Sequence, residues 1–240
     1  MLPPLAPLTN VALAVLREPA LPSLLRHLVI MGGSYRSPGN TAPTTEWNVS
    51  VDPESARIVF EAFGPGAAGG SAARDSAGTD SSGAAGSQRR LPTALGLDVT
   101  ERAKMLPEHL AALATRAGCA PDGRRPDGSV NPVVRYLADA LRFYMEFHSR
   151  YDGFYGAFIH DPLALAAALD PTLVRTEPLT VDVELDGRLT TGETVTDWRR
   201  VWGRPPNVDV AVEADSARFM ASFIERVGDL AAGRATGRNT

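Results

Sequence analysis

The sequence predicts an α/β protein built on an open, mostly parallel sheet with helices on both sides. Three observations predict it. Residues 27–31 and 91–99 are compact apolar runs that read as buried strands. Segments with helical spacing alternate with these runs, which is the pattern left by a parallel sheet with flanking helices. The first run ends in Gly32-Gly33. Glycines at a strand's carboxyl end allow positive φ and close backbone approach, and in open α/β sheets this is where ligands bind.

Taken in order, residues 11–25 are rich in Ala, Leu and Val and are interrupted by Pro19, so a short helix, a break and a second helical turn are expected. A polar loop follows the first strand through residues 34–48. Asp52-Pro53-Glu54 then starts a helix reaching Phe63, with an aspartate cap and proline at the first helical position. Residues 64–90 are almost wholly Gly, Ala, Ser, Asp and Arg and are expected to form a disordered insertion, since they bury too little apolar area to offset ordering.

After the second strand, residues 100–115 read as a polar-faced helix and residues 119–131 as a loop. Residues 132–151 carry Val133, Val134, Leu137, Leu141, Tyr144 and Met145 at helical spacing. A further helix includes residues 161–169. Residues 179–185 alternate, Asp186-Gly187 supplies a turn, and residues 188–191 return, which is a β-hairpin signal. Residues 208–212 form one more strand candidate, and residues 216–232 a closing helix. No internal repeat is present.

The 240 residues, 44% of them hydrophobic, suffice for a substantial core, and a single domain over residues 1–240 is expected. A net charge of -4 gives no basic excess, which argues against nucleic-acid phosphates and anionic lipid as partners. The one cysteine, Cys119, allows no intrachain disulfide and fits a reducing cytoplasm. The first ten residues lack the charged start of a secretory signal, and no apolar run is long enough to span a bilayer. A cytosolic protein is expected.

The densest chemistry lies beyond the first strand: Met31-Gly32-Gly33, Gly39-Asn40, Glu46-Trp47-Asn48 and Asp52-Pro53-Glu54. Amide and carboxylate side chains suit vicinal hydroxyls, because one group donates while its neighbour accepts. Taken alone, the same residues also fit a loop that satisfies its own backbone. Their order carries more. The run resembles the signature MGG…GN…AEFN…DPEAA of the inosine-uridine-preferring nucleoside hydrolases. Upstream, Pro7-Leu8-Thr9-Asn10 resembles that family's GPLTN loop, with Ala6 where glycine is usual. Downstream, Leu97-Asp98-Val99-Thr100 resembles its LDVT strand end, and His160-Asp161-Pro162 its HDP motif.

The resemblance implies an enzyme that hydrolyses the N-glycosidic bond of ribonucleosides to base and ribose, and an α/β nucleoside hydrolase fold. It implies a calcium ion held by oxygen ligands, as a hard cation demands, to which Asp161 and the carbonyl of Leu5 would contribute. It implies that Asn40, Glu46 and Asn48 hold ribose hydroxyls, with Met31 beneath the sugar. His160 would protonate the departing base, its neutral-range pKa and carboxylate neighbour suiting that task. Tyr144 and His148, one turn apart on a helix, match positions where the family stacks aromatic residues on the base; a core-packing face explains Tyr144 equally well, and His148 departs from the usual tyrosine. Family members form dimers or tetramers, so a homo-oligomer is a further expectation.

One family motif is missing. The opening strand of the family ends in D-x-D-x-G-x-D-D, whose aspartates supply further calcium ligands and the general base. The 240 residues contain no such motif, so the expected fold is incomplete in its N-terminal part and the isolated chain is expected to have little or no activity. The alternatives are a noncatalytic nucleoside- or sugar-binding remnant, and a full enzyme whose start lies upstream.

Overall fold

The computed structural model of the protein describes residues 1–65 and 90–233. The expected insertion falls almost entirely outside the described residues.

The first helix, α1, spans Thr9–Arg17, and α2 is a single turn at Leu21–Leu24 with proline at its start. Strand β1 covers Val29–Met31, all three residues buried. The short α3, Trp47–Val51, is capped by Glu46. Helix α4 runs over Pro53–Phe63, its N-cap Asp52 accepting from the Ser55 amide. The expected strand at 91–99 is shorter: β2 is Thr93–Leu95, and Leu97–Thr100 turns into the one-turn helix α5. Gly96, between them, is crowded by Tyr35 and by the Gly33 carbonyl. Apolar character alone does not distinguish a strand residue from a buried turn, which is why the run looked longer.

The expected helix at 100–115 is likewise split into strand β3, Lys104–Met105, and helix α6, Pro107–Arg116. Pro107 at the first helical position sets that boundary. Helix α7 occupies Pro132–Tyr151, as its spacing indicates; Asn131 caps it by accepting from the amides of Val133 and Val134. Then come β4 at Ala157–Phe158, α8 at His160–Leu169 and a single 3-10 turn at Pro171–Leu173. Strand β5 spans Val174–Leu179 and β6 Val181–Val183. The returning hairpin strand, β7, is Thr194–Thr196 and not residues 188–191. Glu184 explains the shift, because its carboxylate accepts from the amides of Asp186 and Gly187 and closes a wider turn. Strand β8, Val208–Ala214, and helix α9, Ser216–Ala231, end the described chain.

The described residues divide into two compact units. The first comprises residues 1–65, 90–99, 167–169 and 174–213. Its sheet has the order β1-β2-β8-β5, with β1 parallel to β2 and β2 parallel to β8. Residues 2–4 extend beside β1: the Val29 amide donates to Leu2 and the Met31 amide to Pro4. Helices α1 and α4 and the hairpin β6-β7 pack against the sheet over a core that includes Val15, Ile30, Val59, Phe60, Leu179 and Val210. The Thr9 hydroxyl bonds the Asp52 carboxylate, so the start of α1 is tied to the cap of α4.

The second unit comprises residues 100–166, 170–173 and 214–233. Here α6 packs along α9, fastened by Arg116, whose guanidinium meets both oxygens of Asp229 at 2.8 Å. The Asn131 side-chain amide donates to the Ala231 carbonyl at 2.7 Å, joining α7 to the end of α9. Strands β3 and β4 pair antiparallel beside α7. Among the described residues no helix is long and apolar enough to cross a membrane.

Candidate functional site

In the first unit the parallel strands bring the polar loops to their carboxyl ends. Met31 closes β1, and because its amide bonds Pro4, Leu5 lies level with Gly32 at the same sheet edge. Gly33 adopts φ 86°, which an L side chain tolerates poorly, and a Cβ there would come within 2.8 Å of the Tyr35 hydroxyl. Its amide donates to Glu46 Oε2 at 2.9 Å. Glu46 also accepts from the amides of Asn48 and Val49, at 2.9 and 3.2 Å. The Glu46 side chain, only 2% exposed, therefore caps α3 and binds β1's exit loop to it.

Asn48 is buried, and its Nδ2 donates to the Met31 carbonyl at 3.1 Å and to the Met31 sulfur at 3.3 Å. Its Oδ1 accepts no hydrogen bond among the described residues. Asn40 is the converse: its Oδ1 accepts from the Trp47 amide at 2.9 Å, which leaves Nδ2 to donate. Asn48 thus leaves an acceptor beside Met31, and Asn40, exposed on the loop, leaves a donor. Gly39 permits this loop, since a Cβ there would collide with the Ala42 carbonyl at 2.1 Å.

Two residues to which sequence reasoning gave no role hold this loop in place. Asp98 receives the amides of Tyr35, Arg36 and Ser37 at 2.9, 2.7 and 2.9 Å. The Thr194 hydroxyl accepts from the Ser34 amide at 3.1 Å and donates to the Ser34 carbonyl at 2.7 Å. Asp98 stood in a recognisable motif, so its position was available; nothing local marks Thr194, which acts 160 residues away. Tyr35, buried beneath the loop, has its phenol pKa pushed well up by burial and then by Asp98 and Glu46.

In the second unit His160 opens α8, and its Nδ1 lies 2.7 Å from the Thr100 hydroxyl. Burial, and then the charge of His148, lower its pKa to about 4. This corrects the expected neutral-range value: at neutral pH the imidazole is uncharged. Asp161, exposed as a residue, has its carboxyl pKa raised because surrounding protein strips part of its hydration. No group among the described residues bonds that carboxylate.

Tyr144 and His148 are on the same face of α7, with ring centroids 4.6 Å apart. His148 is buried among rings: Phe158 at 4.7 Å, Phe147 at 5.4 Å and Phe154 at 5.4 Å. Its Nδ1 lies 2.6 Å from Asp152 Oδ2, a partner one helical turn on that helical spacing alone identifies. The phenol of Tyr144 has a raised pKa, from burial first and then from Asp161 and Asp152.

The first unit thus carries amide side chains at the strand ends of an α/β sheet, and the second a histidine-aspartate pair at the start of a helix. The chain belongs to the inosine-uridine preferring nucleoside hydrolase family, whose model matches residues 1–221. It is 34% identical over 231 residues to an inosine-uridine preferring nucleoside hydrolase of Leishmania major, covering 94% of this chain and 60% of that protein. It is 34% identical over 223 residues to a pyrimidine-specific ribonucleoside hydrolase RihA of Enterobacter sp. (strain 638), covering 92% and 58%. Among solved structures it is similar to a purine-preferring ribonucleoside hydrolase from Gardnerella vaginalis, with TM-score 0.73, 28% identity and coverage of 96% of this chain and 60% of that one. A plant nucleoside hydrolase, PpNRh1, matches with TM-score 0.71 and 26% identity. The chain spans about three-fifths of the length of these relatives.

Proposed function

We propose that this chain carries the ribose- and base-handling residues of an enzyme that hydrolyses the N-glycosidic bond of ribonucleosides. The observation that carries the reading is a pair of amides on one loop, with Asn48 Oδ1, beside Met31, left to accept and Asn40 Nδ2 left to donate. Vicinal hydroxyls each donate and accept, so two oppositely oriented amides match a 2′,3′-diol better than a single hydroxyl. Glu46, whose carboxylate already serves three amides, acts mainly by fixing Asn48 and the Gly33 turn. His160, uncharged near neutrality, assists the leaving base through a hydrogen bond.

Calcium, which the family resemblance implies, needs six to eight oxygen ligands. Asp161 and the Leu5 carbonyl are two, and among the described residues no three His, Cys, Asp or Glu side chains gather to hold a metal. The residues present do not make that site by themselves, so no step is drawn through it. The 240 residues also contain no D-x-D-x-G-x-D-D motif to supply a water-activating base. The chain assayed alone is therefore a binder of ribose without appreciable turnover. A cytosolic homodimer or homotetramer is part of the same reading, supported by the single cysteine and by the family resemblance.

The test is a titration of the 240-residue chain with D-ribose and with 2-deoxy-D-ribose, read at the side-chain amide resonances of Asn40 and Asn48. Ribose shifts both and deoxyribose shifts them less. Equal or absent responses reject the ribose assignment. Calcium-dependent hydrolysis of a p-nitrophenyl riboside by this chain would reject the binder reading and establish an intact enzyme.

A further inference from the structure

Helix α7 buries only one of its sides. Val134, Met145 and His148 are its buried residues, whereas Tyr136, Phe143, Phe147 and Tyr151 are 74%, 73%, 44% and 63% exposed. Together with Ala140, these aromatic residues recur every three or four positions and so form one stripe along the helix. Tyr144, packed on buried His148, lies at the inner margin of the stripe and is not part of it. Soluble proteins seldom expose so continuous an apolar strip unless something covers it. The order along the stripe is informative: an alanine and two phenylalanines stand at the centre, and a tyrosine stands at either end. An apolar core with a rim that carries polar atoms is the anatomy of a protein interface.

The stripe is complementary to itself about a twofold axis. When two copies of α7 lie antiparallel about a point between Phe143 and Tyr144, Tyr136 comes level with the partner's Tyr151, and Ala140 with the partner's Phe147. A small residue then faces a large one on both sides of the axis, while Phe143 meets the partner's Phe143 at the centre. A parallel pair would oppose Phe147 to itself and leave a gap at Ala140. The charges agree with the antiparallel register. Arg150 lies 5.4 Å from the Tyr151 ring and has no ion-pair partner among the described residues. Asp139 gives one oxygen to Arg135 at 2.7 Å and keeps Oδ1. Asp139 and Arg150 are about three turns apart, so they flank the same side of the stripe. The antiparallel register brings Arg150 within about 3 Å of helix rise of the partner's Asp139; a parallel pair turns these flanks away from each other.

We propose that a second copy of this chain docks on the α7 stripe, the two helices antiparallel, with Asp139 of each copy bonding the partner's Arg150. This rests on the homo-oligomer of the reading above and names its interface; ribose binding plays no part in it. The exposed parts of the four aromatic residues amount to roughly 400–600 Å² on each copy. Burying both stripes therefore reaches about 1,000 Å², the lower end for a specific interface. The dimer is accordingly weak, with dissociation in the micromolar range, and it forms and parts with concentration.

Sedimentation of the 240-residue chain across micromolar concentrations tests the interface. The wild type passes from monomer to dimer. Arg150→Glu and Asp139→Arg each weaken the dimer by about tenfold, because the twofold repeats every like-charge contact. The variant carrying both reversals recovers most of the loss, as coupled partners do. Phe143→Ser abolishes dimerisation. All three positions are exposed, so the fold does not depend on them, and circular dichroism of each variant verifies that α7 is intact. A wild-type chain that stays monomeric throughout overturns the proposal and the homo-oligomer with it. A dimer indifferent to Phe143→Ser, or charge reversals that do not repair each other, overturns this interface and leaves an oligomer built on another surface. The ribose titration of Asn40 and Asn48, run on the same samples, separates the two readings: its failure removes the ribose assignment and leaves the dimer standing.

Discussion

Replacing Glu46 with alanine strips the acceptor from three amide donors at once. Gly33, Asn48 and Val49 all donate to this carboxylate, and the residue is 2% exposed. Leaving a buried amide unsatisfied costs about 1–3 kcal/mol, and loss of a helix cap about 1 kcal/mol. Water entering the vacated space recovers part of this, so the expected loss is about 3–5 kcal/mol. Against a total stability of about 5–15 kcal/mol that is a large share. At about 2–4 °C per kcal/mol for a chain of this size, the melting temperature falls by roughly 10 °C. Glu46→Gln keeps one oxygen but turns an NH2 group toward amide donors, so it falls between alanine and wild type. Urea titrations of the three proteins, followed by the ribose titration, test this. A loss for Glu46→Ala under about 0.5 kcal/mol, typical of a surface change, with the Asn48 response to ribose intact, would falsify the assignment of Glu46 as the clasp of the loop.

Thr194→Val preserves shape while removing the hydroxyl that meets both the amide and the carbonyl of Ser34. It should cost about 1–3 kcal/mol in urea denaturation, with Thr194→Ser recovering most of the loss. Acid stability should depend on Asp52. Burial alone would raise its pKa, but hydrogen bonds from Thr9, the Ser55 hydroxyl and the Ser55 amide outweigh that and lower it from the ordinary 3.8. A carboxyl depressed in the folded state contributes stability that is fully present above 3.8 and is lost as pH falls through the lower folded value. Stability measured from neutrality into acid should therefore fall less steeply for Asp52→Asn than for wild type, and parallel curves would contradict this.

Much of the fold was legible because local chemistry marks element starts. Asp52-Pro53 and Asn131-Pro132 each announce a helix with a cap and a pre-set φ, and the helices begin where these signals place them. Shorter features were not legible. Residues 97–100 continue the apolar run of the strand before them, and the close approach of Tyr35, Asp98 and the Gly33 carbonyl to Gly96, where a Cβ would not fit, has no local sequence signal. Strand β7 lies beyond the position expected from Asp186-Gly187, because the carboxylate of Glu184, just past the preceding strand, accepts within a wider turn. Asn40 and Asn48 could be singled out from residue type and order, but which of their atoms remain available depends on backbone partners. The lowered pKa of His160 could not be read from its neighbour Asp161, since burial and His148 set it.

The clasp between Ser34 and Thr194 has a consequence in time. As the polypeptide leaves the ribosome, residues 31–48 emerge well before the hydroxyl that pins them, which belongs to a hairpin made some 160 residues later. Contacts of such long sequence separation form slowly, because a large loop must close before they yield any stabilisation. The loop is thus pinned only after Thr194 has been made, and a nascent chain stalled before it would display its strands and amides without that clasp.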